Sequence, residues 1–108
     1  MNESIATLEA TGIDVDGSEF RVVARVGRPY AAAENPEVWR CPVSVDPLYP
    51  GLRDVAGSDS LQCLCLASQL ALELLRTFVD QGGRLVLPGG EDVPLDSYVH
   101  VMPGARSR

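Results

Sequence analysis

The chain has no lysine: all nine of its basic residues are arginines. Without that amine, Schiff-base chemistry and lysine-centred phosphate loops are excluded. Histidine occurs once, at His100. A general base needs a group that orients it and a nearby substrate, and the sequence offers His100 neither, so a surface or packing role is expected. No G-x-S-x-G nucleophile elbow, Walker loop or dinucleotide fingerprint occurs. An enzyme is therefore not expected, and no cofactor is implied. No uninterrupted run of 18 apolar residues is present, so no membrane span is expected. Met1-Asn2-Glu3-Ser4 lacks the basic-then-apolar pattern of a signal peptide, which makes a cytoplasmic location the expectation.

Positive charge is scarce as well. Nine arginines against 15 acids leave a net charge of −6. Nonspecific nucleic-acid binding rests on phosphate neutralisation by a basic surface, so that class is disfavoured. An acidic surface instead suits a basic protein partner. Cysteine is limited to Cys41, Cys63 and Cys65, an odd set without metal-type spacing. Cys63 and Cys65, two apart on a predicted helix, lie about 200° apart around it and cannot share a metal ion. All three read as small buried hydrophobes.

The length of 108 residues suits one domain with its own core. Residues 1–102 are assigned to that domain, with Pro103–Arg108 as a disordered tail. Residues 4–12 read as a first strand. Asp14-Val15-Asp16-Gly17 signals a hairpin. Glu19 to Gly27 follows as the clearest strand, with Phe20, Val22, Ala24 and Val26 on one face and Glu19, Arg21, Val23 and Arg25 on the other. A third strand is predicted from Glu37 to Asp46, where Pro42 marks an edge or a bulge. Leu52–Ala56 is a candidate short strand, Arg84–Leu87 a final one, and Val99–Met102 a last extended piece.

Between them, Asp59 to Gln81 reads as one long helix. Asp59 with Gln62 resembles a capping box, and Gly82-Gly83 supplies a left-handed stop. At 100° per residue, Gln62, Gln69, Glu73, Arg76 and Asp80 form one narrow polar stripe. The remaining arc, roughly 220° wide, holds Leu61, Cys63, Leu64, Ala67, Leu70, Ala71, Leu72, Leu74, Leu75, Phe78 and Val79. A surface helix needs an apolar stripe of only about 100° or somewhat more. A sheet covers one side, so a partner is expected to cover the rest. The fold class that follows is α+β: an antiparallel sheet of about four strands with one long helix on one face, in the order β-β-β-(β)-α-β.

Four ordered motifs accompany this pattern: Val26-Gly27-Arg28-Pro29, Trp39-Arg40-Cys41-Pro42-Val43, Gly57-Ser58-Asp59-Ser60-Leu61-Gln62 and Gly83-Arg84-Leu85. As an ordered set they resemble a family of short bacterial proteins of unknown function. The resemblance spans residues 5 to about 95. It implies the α+β fold and no catalytic residues; Arg28, Trp39 and Cys41 match its motifs.

Two surfaces carry the functional expectation. Leu66, Leu70 and Leu74, at the margin of the apolar arc, are the candidate interface of a homodimer, with a sheet edge as the other way to pair. Arg21, Arg25 and Arg40, with Arg28 and Trp39, are candidates for binding an acidic ligand or partner, since guanidinium groups grip carboxylates in bidentate fashion. Their plainer reading is a solvated sheet face balanced by Glu9, Glu19 and Glu37. Glu91, Asp92 and Asp96 lack the spacing of a cation loop, and no metal site is assigned. Asp59 puts a carboxylate where an anion would sit at the helix start, so capping is expected there.

Overall fold

The computed structural model describes residues 3–99 of the chain. His100, the remainder of the predicted extended piece Val99–Met102, and the tail Pro103–Arg108 lie outside the described residues. Strand β1 (Ser4–Ile13) turns into β2 (Glu19–Gly27). The turn is a three-residue loop: Asp14 N–H donates to the Ser18 carbonyl at 2.9 Å and Gly17 N–H to the Asp14 carbonyl at 2.8 Å. Gly17 stands at φ +89°, the left-handed position this hairpin requires.

Further along, the chain departs from the predicted single strand Glu37–Asp46. Two strands replace it, β4 (Trp39–Cys41) and β5 (Val43–Asp46), and they belong to different sheets. Pro42 explains the break. It has no N–H for a ladder, while its carbonyl accepts from Gly27 N–H at 2.9 Å. A two-residue strand β3 (Tyr30–Ala31), unforeseen in the sequence, pairs with β4, and β6 (Val55–Gly57) pairs with β4 on its other side. β7 (Arg84–Val86) follows the helix, and a 3-10 turn spans Leu95–Tyr98. The result is an α+β fold with two antiparallel sheets, β5-β2-β1-β7 and β3-β4-β6.

Helix α1 (Ser60–Asp80) packs on both sheets. Asp59 caps it, its Oδ1 accepting from Gln62 N–H at 2.8 Å. Gln62 Oε1 in turn accepts from Ser58 N–H at 2.7 Å, one residue further out than in the usual capping box. At the other end Gly83 N–H donates to the Phe78 carbonyl and Gly82 N–H to the Val79 carbonyl, with Gly82 at φ +104°. That pair of bonds is a Schellman stop.

The core is the meeting of one helix stripe with the inner face of the larger sheet. Cys63, Ala67, Ala71, Leu75 and Phe78 from α1 meet Val22, Ala24, Val26, Val43 and Val45 from β2 and β5. Phe20 closes one end edge-on against Phe78, ring centres 5.9 Å apart. Small residues at 63, 67 and 71 allow a close approach: a Cβ added at Gly57 would lie 2.9 Å from Cys63 N.

Leu75 sits at the centre of this contact, 1% exposed. Replacing it with alanine should lower unfolding free energy by about 2–5 kcal/mol, while Gln69→Ala on the exposed stripe should change it by no more than about 0.5 kcal/mol. Urea unfolding followed by circular dichroism measures both; equal effects would contradict this placement of the helix.

Candidate functional site

The helix is covered less than its composition demands. Gln62, Gln69, Glu73 and Asp80 are exposed, and Arg76 is half-buried beside its ion-pair partner Asp96. The fully buried stripe at positions 63, 67, 71, 75 and 78 subtends about 120° at 100° per residue. Leu64 and Leu74 within that arc, and Leu70, Leu72 and Val79 beside it, are half-buried against the core. Leu61 is 69% exposed and Leu66 39% exposed. Cys65 is exposed too, which corrects its expected burial. Lying about 200° from Cys63, it falls outside the strip the sheet reaches. Of the candidate interface row, then, Leu66 is exposed while Leu70 and Leu74 are partly covered by their own chain.

By length and composition alone, α1 is also apolar enough to cross a membrane. In this fold the helix lies across two sheets, its buried stripe inside the core.

The arginine candidates are dispersed. Arg21 and Arg25 share the outer face of β2. Arg40 lies on β4 in the other sheet, and Arg28 follows β2. Arg21 pairs with Glu9, Arg28 with Glu3 at 3.2 Å, and Arg40 with Glu34. The Arg21 guanidinium, by hydrogen bond and charge and with a smaller contribution from Arg25, holds the Glu9 carboxyl below its ordinary range. Arg25 is half-buried and makes no ion pair among the described residues. Of the balancing acids foreseen, Glu9 serves; Glu3 and Glu34, distant or loop-borne in sequence, were missed. Trp39 is half-buried against the core. Tyr30 Oη donates to Asp54 next to Arg40, and that bond raises the phenol's pKa. Because these charges are solvated and internally paired, the group resembles a surface network more than a catalytic set.

Asp92 pairs with Arg84 at 2.8 Å and Asp96 with Arg76. Among the described residues no three His, Cys, Asp or Glu side chains come together as metal ligands. Cys41 and Cys63 are buried, their thiols directed at carbonyls: Cys41 Sγ to Gly27 at 3.4 Å, Cys63 Sγ to Val55 at 2.8 Å. Burial pushes the Cys41 thiol up to about 11 and raises Cys63 as well. A buried neutral thiol is a poor nucleophile.

A second apolar surface was not singled out in the sequence. Beside β1 a groove of about 170 Å³ opens, lined among others by Ala6, Leu8, Ala24, Leu72 and Tyr98. β7 pairs with β1 only at Thr11–Ile13, so the N-terminal part of β1 borders this groove without a strand on that side among the described residues. Alternation flags neither feature, since both depend on where neighbouring elements end. The chain matches no protein-family model, no curated protein and no solved structure.

Thiol labelling tests this geometry. At pH 8 the native protein should react quickly at Cys65 alone, with Cys41 and Cys63 reacting only on unfolding. The neutral Cys41 thiol also sets a pH dependence. Its folded value is raised from 9.0 to about 11, so its contribution to stability is complete below about 9 and is lost as pH rises toward about 11. Three fast-reacting thiols, or stability that climbs between those values, would contradict the assignment.

Proposed function

We propose that this protein is a non-catalytic interaction module that functions as a homodimer. The observation that supports this reading is the apolar surface of α1 that its own chain leaves uncovered. A helix apolar over roughly 220° is fully buried by its own chain over only about half of that, leaving Leu61 and Leu66 exposed on opposite sides of the polar stripe. Covering such a side chain completely contributes about 1.5–3 kcal/mol, so a few leucines of this kind suffice to drive association. The net charge of −6 favours a basic protein as a further partner, in the manner of an immunity or regulatory protein. An acidic small-molecule ligand has less support, because Arg21, Arg28 and Arg40 already hold carboxylates of their own chain.

Light scattering coupled to size exclusion tests the reading directly. At about 50 μM, well above the dissociation constant of a micromolar interface, the mass should be twice the 11.6 kDa of one chain. A monomer at that concentration would sink the proposal.

A further inference from the structure

We infer that the groove beside β1 is the seat of this chain's own C-terminal segment. Residues 100–102 continue from Val99 along residues 7–10 of β1, and Val101 and Met102 enter the groove as a strap. The inference goes beyond the homodimer reading and does not need it. Leu72, on the groove side of α1, and Leu66 lie on opposite sides of the helix's polar stripe. A strap on the Leu72 side leaves the Leu66 side free for a second copy.

The groove is shaped to take an apolar side chain. Its deepest lining, Ala24, Ala71 and Leu75, is buried in the core, whereas Ala6 is exposed and Leu8 and Leu72 are half-buried. Its volume of about 170 Å³ is close to the roughly 150 Å³ of an apolar cavity that takes up benzene, so one long apolar side chain fits. On the sheet side, β7 pairs with β1 only at residues 11–13. Residues 7–10 therefore have no strand on that side among the described residues. Natural proteins cover an edge of this kind with a helix or loop.

The occupant follows from where the described chain leads. Val93 and Leu95 are buried, and Asp96 pairs with Arg76 of α1, which holds the 3-10 turn against the helix. The turn ends at Tyr98, which lines the groove, and Val99 lines the neighbouring surface with Leu72. Val99 is already extended, at φ −117° and ψ 118°. Four extended residues span roughly 13 Å, so residues 99–102 match the length of four residues of β1. Met102 is unbranched and suits an irregular apolar gap. Pro103, without an N–H, suits the end of an added strand.

Charge and tethering favour the same occupant. All 15 acids of the chain lie between positions 3 and 96, while the residues beyond Val99 hold no acid and two arginines, Arg106 and Arg108. A basic segment is drawn onto an acidic body. Glu73, beside Leu72 and Val99, makes no ion pair among the described residues and stands next to the strap's path. Because the segment is joined to the groove through Tyr98, its effective concentration there is about millimolar. A second copy or a free peptide must be that concentrated to compete on equal terms.

The test uses the full chain in a Cys65→Ser background, where the remaining cysteines are buried. With Ala6→Cys and Met102→Cys together, a short bismaleimide should join the two positions within one chain, read on a denaturing gel. Val15→Cys at the exposed hairpin tip, paired with Met102→Cys, should not be joined. Separately, adding Met102→Asp should speed the labelling of Ala6→Cys by a bulky maleimide about tenfold or more. The circular dichroism spectrum and the labelling of Val15→Cys should stay the same. A missing Ala6–Met102 crosslink, or an unchanged Ala6→Cys rate, overturns the strap. A crosslink that joins two chains overturns it too and assigns the groove to the segment of a second copy. The mass of the unmodified protein bears on the homodimer reading alone, so the two can fail separately.

Discussion

The close seating of α1 on β2 and β5 is the constraint from which most of the structure follows. Cys63, Ala67 and Ala71 are small enough to let the helix settle near the valines at 22, 26, 43 and 45, while Leu75 and Phe78 fill the wider end. Against the smaller sheet the helix also comes close enough that Gly57 of β6 has room for hydrogen only, with Cys63 N behind it. A helix seated so closely is gripped along a strip of about a third of its circumference. Its flanking leucines cannot all reach the sheet. The same economy of side-chain size that makes a firm core thus leaves Leu61 and Leu66 outside it.

Pro42 is the second organising element. By interrupting one alternating run it lets Trp39–Cys41 leave the main sheet and build a smaller one with Tyr30–Ala31 and Val55–Gly57. That smaller sheet sits near the helix N-terminus, where Val55 receives the Cys63 thiol. Two sheets therefore share one helix, and the alternation of Trp39, Cys41, Val43 and Val45 still points inward across the break: Cys41, Val43 and Val45 are all buried.

Five arginines hold carboxylates of their own chain. Acids and arginines pair at the surface, where such pairs contribute roughly 0–1 kcal/mol each, and the buried thiols are neutral and hydrogen-bonded. Among the described residues, apolar surface stays uncovered at Leu61 and Leu66 of the helix and in the groove beside β1.

Much of this was legible in the residues. β-compatible residues bounded by turn residues located β1, alternation located β2, Asp-Val-Asp-Gly located their turn, and Asp59 and Gly82 bounded the helix to within a residue, because each rests on local backbone chemistry. The α+β class followed from those elements. The helix's angular pattern also identified its water-facing stripe. Local chemistry did not reveal that Pro42 divides a strand between two sheets, that Cys65 faces out, or that Arg28 and Arg40 find carboxylates at positions 3 and 34. Nor could it show that β7 pairs with β1 only at Thr11–Ile13. Each of those outcomes depends on how far one element extends over another. Periodicity in a sequence says which face of an element is apolar; only packing decides how much of that face its own chain covers.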